Sequence, residues 1–309
     1  MPRHISLLFP GQGSQSLGML SSFNSEDLDF ISSASKETLS FDLLDLIQSG
    51  PDDKLNQTSF TQPALLATSY LYYKKFLSIT ELTPNIMAGH SLGEYSALVA
   101  SGSIDFKTAL NLVYKRGLFM EKSDVGSMFA ILNLNIKTLY SICDEVRDTL
   151  DEIVAPANIN SANQVVIAGS HEAAALAAEK CKVAGAKRTI QLKVSVASHC
   201  NLMQSASILL SEEMKNIKFN NPAIPIIHNV NALESNNNND DDIAQKLTDQ
   251  LIKPVQWLKT MEKINMLDGI VVECGPGRVL SGLAKTNGLS NILTMSSDNF
   301  KEDFNNIYG

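Results

Sequence analysis

The stretch GHSLG at residues 89–93 has the spacing of a nucleophile elbow, a tight turn that presents one serine hydroxyl between a strand and a helix. Asn85–Gly89 reads as a short buried strand and Ser91–Ala100 as the amphipathic helix after it. Gly89 and Gly93 suit such a turn, because the backbone comes close to neighbouring elements and a side chain would collide. Ser91 would then sit at a helix N-terminus, where free N–H groups and the helix dipole favour negative charge. That setting stabilises the oxyanion formed when a serine attacks an acyl carbonyl.

A serine hydroxyl is a weak nucleophile and needs a base beside it in the fold. The chain has five histidines. His4 precedes the first strand, and His90 lies inside the elbow with its side chain directed away from the serine's. His171 opens an alanine-rich helix, and His228 reads as a core or strand-end residue. His199, in VSVASHCNLM, falls where the chain returns from what reads as an inserted domain, and clefts form at such junctions. By elimination it is the base, and its near-neutral reference pKa fits that work. No acidic residue between 92 and 198 stands out as a third triad member, since those present fall on helix faces or in turns. A carbonyl acceptor could orient the imidazole instead. Arg116, in YKRGLFM, is either a solvated arginine on a helix face or a fork that grips a substrate carboxylate. The pattern leaves both readings open. GQG at 11–13 follows a strand and could bring a second N–H toward the oxyanion, whereas GPG at 275–277 reads as a tight turn.

The elements that must position these residues alternate between strand and helix patterns, which indicates an α/β protein with a mostly parallel sheet. Ile5–Phe9 is a continuous apolar run, as a central parallel strand should be. Helices are expected over Gln62–Leu77, with Pro63 near the first turn, and over Asp105–Lys122, with Asp105 as cap. Residues 125–195 read as strand, helix, strand, strand, helix, strand, the ferredoxin-like order. They form a small domain inserted into a larger one made of 1–124 and 196–309. In the second part of the large domain, Pro225–Val230 and Gly269–Glu273 read as strands. Helices follow at Ile243–Ile252, Val255–Ile264 and Val279–Lys285. Ser235–Asp242 is a polar tract expected to be an exposed loop.

Bulk composition narrows the function. A chain of 309 residues buries a real core, and 44% hydrophobic with 19% charged residues is ordinary for a globular protein. A net charge of −8 argues against non-specific binding to nucleic acid or to an anionic membrane. No apolar run approaches a membrane span, and the apolar stretch at the N-terminus is too short for a signal peptide. Cys143, Cys181, Cys200 and Cys274 lack metal-ligand spacing, so reduced thiols in a cytoplasmic protein are expected and a metal site is not.

Taken in order, LFPGQGSQ, TQPAL, GHSLGEYSAL, KRGLFM, NINSANQVVIAG, VSVASHC, PVQW and VECGPGRVL resemble the malonyl-CoA:acyl-carrier-protein transacylases of bacterial type II fatty acid synthesis. The likeness runs from about residue 5 to about residue 286. It implies an α/β-hydrolase-like large domain with an inserted ferredoxin-like domain. It implies transfer of malonyl from malonyl-CoA to the phosphopantetheine thiol of holo-acyl carrier protein, with no cofactor. Carried over by motif, Ser91 is the acylated nucleophile, His199 its base and Arg116 the ligand of the malonyl carboxylate. The N–H groups of Gln12 and Leu92 form the oxyanion hole, and the carbonyl of Gln250, in DQLIKPVQW, orients the histidine. The chain departs from the family in its Asn/Asp-rich loop and in VASH where VPSH is commoner, a segment that related acyltransferases use to choose the acyl group. Carrier proteins of this pathway are acidic, so a local basic patch is expected, with Lys187, Arg188, Lys193 and Lys285 as candidates. A monomer is expected. The competing readings are a serine hydrolase, such as a thioesterase or lipase, and a non-catalytic subunit that binds carrier protein on the same fold.

Overall fold

Continuous apolar runs form the middle of the molecule. The computed structural model describes residues 4–194, 196–235 and 242–308. Among them, β1 (Ile5–Phe9), β2 (Ile86–Gly89), β7 (Ile226–Ile227), β8 (Ile270–Glu273) and β9 (Ile292–Thr294) make a parallel sheet in the order β7-β2-β1-β8-β9. Every residue of β1, β2 and β8 is buried, because helices cover both faces of the sheet. Side chains alternate across β1. Ile5, Leu7 and Phe9 join one core with Leu65, Phe76 and Tyr95, while Leu8 joins another with Trp257, Met261 and Leu280.

Register places two loops together. Phe9 pairs with Gly89, so the GQG loop after β1 and the elbow after β2 leave neighbouring strands at the same carboxyl end. In open parallel sheets, ligands bind at such ends.

The second sheet is antiparallel. It holds β3 (Ser127–Leu132), β4 (Val154–Ser161), β5 (Gln164–Gly169) and β6 (Arg188–Gln191) in the order β4-β5-β3-β6. With helices at Ile136–Leu150 and His171–Val183, this is the ferredoxin-like arrangement read from the sequence. One face, with Ile131, Val165 and Ile167, packs on those two helices around Leu139, Ile142 and Val146. The other face, with Met128, Ala130, Val166 and Ala168, is part of the main core. The period of two therefore serves two cores at once. β4 is also joined to the main body by a bridge of Asn158 with Val255, in which Val255 N–H donates to Ala157 O (2.9 Å) and Ile159 N–H donates to Val255 O (2.9 Å).

Three expected elements differ from their sequence patterns, two by being shorter and one by a shift of two residues. Pro225–Val230 yields only Ile226–Ile227, because the chain turns at His228, whose N–H donates to Leu233 O (2.9 Å). Ser91–Ala100 becomes a helix only from Gly93, since Ser91 has φ 52° and Leu92 is the cap residue. Val255–Ile264 becomes Trp257–Met266, with Val255 spent on the bridge to β4. Most of the Ser235–Asp242 tract lies outside the described residues. No helix among the described residues is long and apolar enough to cross a membrane.

Candidate active site

The turn at Ser91 is held open by steric necessity. A Cβ added at Gly89 would stand 1.8 Å from the Gly93 carbonyl carbon, and one at Gly93 would stand 2.0 Å from Phe9 O. Side chains there would push the elbow helix off the end of β1. Ser91 itself takes the left-handed conformation (φ 52°), uncommon for a residue with a Cβ and typical of a strained functional turn. Asn229 clamps the turn from the end of β7. Its Oδ1 accepts from Ser91 N–H (2.7 Å) and its Nδ2 donates to Gly89 O (2.6 Å).

His199 comes to Ser91 from across the molecule. It is 2% exposed, with φ 64°, where the chain returns from β6 to the main body. Its Nδ1 lies 2.6 Å from Gln250 O, and a carbonyl only accepts, so Nδ1 carries the proton. Nε2 therefore presents its lone pair to Ser91 Oγ at 2.9 Å. Burial pushes the imidazole down to about 3; the Gln250 carbonyl opposes this and the Arg116 guanidinium adds to it. The ring is a neutral acceptor.

Arg116 is buried, 1% exposed, and faces the same hydroxyl. Nη1 donates to Gln62 Oε1 (2.8 Å), while Nη2 donates to Gln250 Oε1 (3.0 Å) and, at 3.4 Å, to Ser91 Oγ. Its Cζ stands 5.4 Å from the centroid of Tyr95. Burial lowers its pKa, which Tyr95 and Glu94 counteract. Its side-chain hydrogen-bond partners are two amide oxygens and the Ser91 hydroxyl, all neutral, and among the described residues no carboxylate forms an ion pair with the guanidinium. The helix that carries it, Phe106–Glu121, is capped by Asp105 as expected, with Oδ1 accepting from Thr108 N–H (3.0 Å). Gly117 lets it approach the helix Thr58–Thr80, because a Cβ there would meet Ser59 Cα at 2.5 Å. The solvated-face reading of Arg116 is thereby corrected.

Gln12, Ser91, Leu92, Arg116 and His199 line one cavity of about 210 Å³, whose lining also includes Met128, Asn158, Leu192 and Val194. Neither the Gln12 nor the Leu92 N–H has an acceptor among the described residues. Gln12 donates its side-chain Nε2 to Thr58 Oγ1 (3.3 Å). The next residue in the loop, Gly13, donates N–H to Gln15 Oε1 (2.7 Å).

The other histidines have separate partners. His90 Nε2 lies 3.0 Å from Asn160 Oδ1, and its ring meets Trp257 edge to face at 5.1 Å. His171 Nδ1 lies 2.8 Å from Ser127 Oγ. His228 is fully buried with Nδ1 2.8 Å from Glu94 Oε1. Lys187, Arg188, Lys193 and Lys285 are all exposed, and of these Lys193 lines the cavity.

Sequence reasoning missed Asn229, Gln62 and Glu94. Glu94 lies on a helix, as expected of the acids between 92 and 198, but the face that carries it is buried, and it is 1% exposed. Its signal was present in the sequence: it is the one charged residue in EYSALVA, a segment otherwise apolar enough to be buried throughout.

Known proteins share this arrangement of elements. The family model described as "Acyl transferase domain" matches residues 7–287. A malonyl CoA-acyl carrier protein transacylase of Haemophilus influenzae is 42% identical over 291 residues, covering 92% of this chain and 92% of that protein. The structure of the malonyl CoA-acyl carrier protein transacylase from Coxiella burnetii superposes with a TM-score of 0.94 at 37% identity, covering 100% of this chain and 99% of that one. A malonyl-transacylase solved in complex with its type II PKS acyl-carrier protein gives 0.89 at 39% identity, over 99% of each chain.

Proposed function

The chain belongs to the acyl transferase domain family, and from its site we infer that it carries malonyl from malonyl-CoA to the phosphopantetheine thiol of a holo-acyl carrier protein through an ester on Ser91, supplying fatty acid synthesis. One observation supports this most: Ser91 Oγ stands 2.9 Å from a histidine lone pair and 3.4 Å from a buried arginine that lacks a carboxylate partner among the described residues.

In the first step Ser91 Oγ attacks the thioester carbonyl while His199 Nε2 takes the hydroxyl proton. Negative charge develops on the carbonyl oxygen, facing the N–H groups of Gln12 and Leu92. A preorganised donor of this kind lowers the barrier by about 3 kcal/mol. The carbon–sulfur bond breaks and coenzyme A leaves with the proton from His199. In the second step His199 takes the proton of the carrier thiol as its sulfur attacks the malonyl ester; the ester carbon–oxygen bond breaks and His199 returns the proton to Ser91 Oγ. Gln250 O keeps the proton on Nδ1 throughout, so a third triad acid is not needed to set the tautomer.

Arg116 binds the malonyl carboxylate with its planar fork. An acetyl group would leave the buried cation without that partner, at a cost of about 1–3 kcal/mol or more. The thioester is already activated, so the exchange calls on no resident cofactor. A hydrolase reading is not favoured, since the arginine selects an acid and the relatives are named transacylases. The enzyme acts as a monomer in the cytoplasm: one chain supplies all the named site residues, and its four cysteines are buried free thiols. Lys187, Arg188, Lys193 and Lys285 offer a basic surface to an acidic carrier despite the net charge of −8.

The test is the intact mass of the protein after mixing with malonyl-CoA, acetyl-CoA or methylmalonyl-CoA, with mapping of the modified residue. A malonyl adduct on Ser91, discharged by holo-carrier protein, is expected. Ser91→Ala should form none, and normal loading in that variant would remove Ser91 from the mechanism.

A further inference from the structure

Glu94 sits beneath the site and has no hydrogen bond to Ser91 Oγ or to His199 among the described residues. Its carboxylate is nevertheless fully engaged. Oε2 accepts from Gln250 Nε2 (2.7 Å) and from Asn229 N–H (3.1 Å), and Oε1 lies 2.8 Å from His228 Nδ1. Gln250 is the shared neighbour. Its backbone carbonyl holds His199, its Oε1 accepts from Arg116 Nη2 (3.0 Å) and its Nε2 also donates to Ser91 O (3.0 Å).

The sense of that amide matters. A carboxylate accepts and does not donate, so Glu94 draws the NH₂ end of Gln250 toward itself and leaves the oxygen for the arginine. Turned the other way, the amide would set donors against the guanidinium and an oxygen against two acceptors, Glu94 Oε2 and Ser91 O. In a buried site such mismatches are costly, since neither side has water to turn to. Resting on the reading of Arg116 as the malonyl clamp, we propose that Glu94 and the side chain of Gln250 are positioning residues for acyl selectivity. Glu94 fixes the sense of the amide, and the amide aims the guanidinium. Both are fully buried, consistent with a device that works without touching substrate.

The experiment compares kcat/KM for loading of malonyl and of acetyl from their coenzyme A thioesters. It covers the wild type, Arg116→Ala, Gln250→Met, Glu94→Met and the Glu94→Met/Gln250→Met double variant, each with a thermal melt. Gln250→Met keeps the backbone carbonyl that serves His199. The malonyl-to-acetyl ratio is expected to fall about tenfold in each single positioning variant, the scale of one well-placed hydrogen bond to a charged group. The double variant should fall no further than the worse single one, because both act through one amide. A purely structural role would lower both acyl groups together. An unchanged ratio in Gln250→Met, beside a collapsed ratio in Arg116→Ala, overturns this inference and leaves the clamp standing. An unchanged ratio in Arg116→Ala overturns the clamp itself. If Glu94→Met does not fold, Gln250→Met still decides the matter.

Discussion

Burial holds His199 at a pKa of about 3, far below the ordinary 6.5, and this has two consequences of definite sign. For catalysis, the imidazole proposed as general base is already neutral throughout the physiological range. The kcat/KM for malonyl loading reports the free enzyme's essential groups, so it should stay flat from neutral pH down to about pH 5. An acid limb centred near 6.5 would show that the imidazole is not desolvated as the structure has it. For stability, the unfolded chain takes up the proton near 6.5 and the folded chain only near 3. Between those values the unfolded state binds more protons, so stability attributable to this group declines as pH falls through the window. His199→Gln should flatten that part of a stability–pH curve, measured by denaturant titration at several pH values. A single buried imidazole thus trades acid stability for a lone pair that is available at neutral pH.

Elements show what could be read in advance and what could not. β1 matches its apolar run residue for residue, and the helix Ile243–Ile252 does the same, because each pattern is set by local burial. The four strands of the small sheet and its two helices were legible for the same reason. Ser91 and His199 could be named from motif and elimination, yet their 2.9 Å contact could not, since it depends on two chain returns 108 residues apart. Arg116 was ambiguous because a helix face becomes interior only when another helix covers it. Gly117 makes that covering close, and it supplies a test. A Cβ at 117 would meet backbone, Ser59 Cα at 2.5 Å and Thr58 O at 2.8 Å, so the helices must part. Gly117→Ala should therefore destabilise by roughly 1–3 kcal/mol, against the gain expected for alanine at an exposed helix site. Because Arg116 rides on the same turn, malonyl loading should drop as well. A melting temperature equal to or above that of the wild type would mean that the approach is not tight. Asn229 escaped notice for a different reason: its segment reads as strand, while the fold ends pairing at Ile227 and turns the next side chains under the elbow.

At the scale of the molecule, the cleft exists because two sheets share a core. Met128, Ala130, Val166 and Ala168 of the small sheet pack in the main hydrophobic cluster. The bridge at Val255, the donation of Asn287 Nδ2 to Asn160 O (2.9 Å) and the contact of His90 with Asn160 fasten β4 to the body on the other side of the cavity. A small layer that buries one of its two faces in the larger one has little to gain by surviving alone, because that face would be bared to water. The whole chain should then unfold as one cooperative unit. Trp257, the only tryptophan, is fully buried in the main-sheet core with Leu8, against His90 and next to Leu258, which packs on the core of the small sheet. Its fluorescence reports the junction, while far-UV circular dichroism reports all helices and strands. The two signals are expected to share one midpoint in urea and in heat. A dichroism phase that precedes the fluorescence change would show the small layer melting by itself, and the wall of the cleft opposite Ser91 would then be movable rather than fixed.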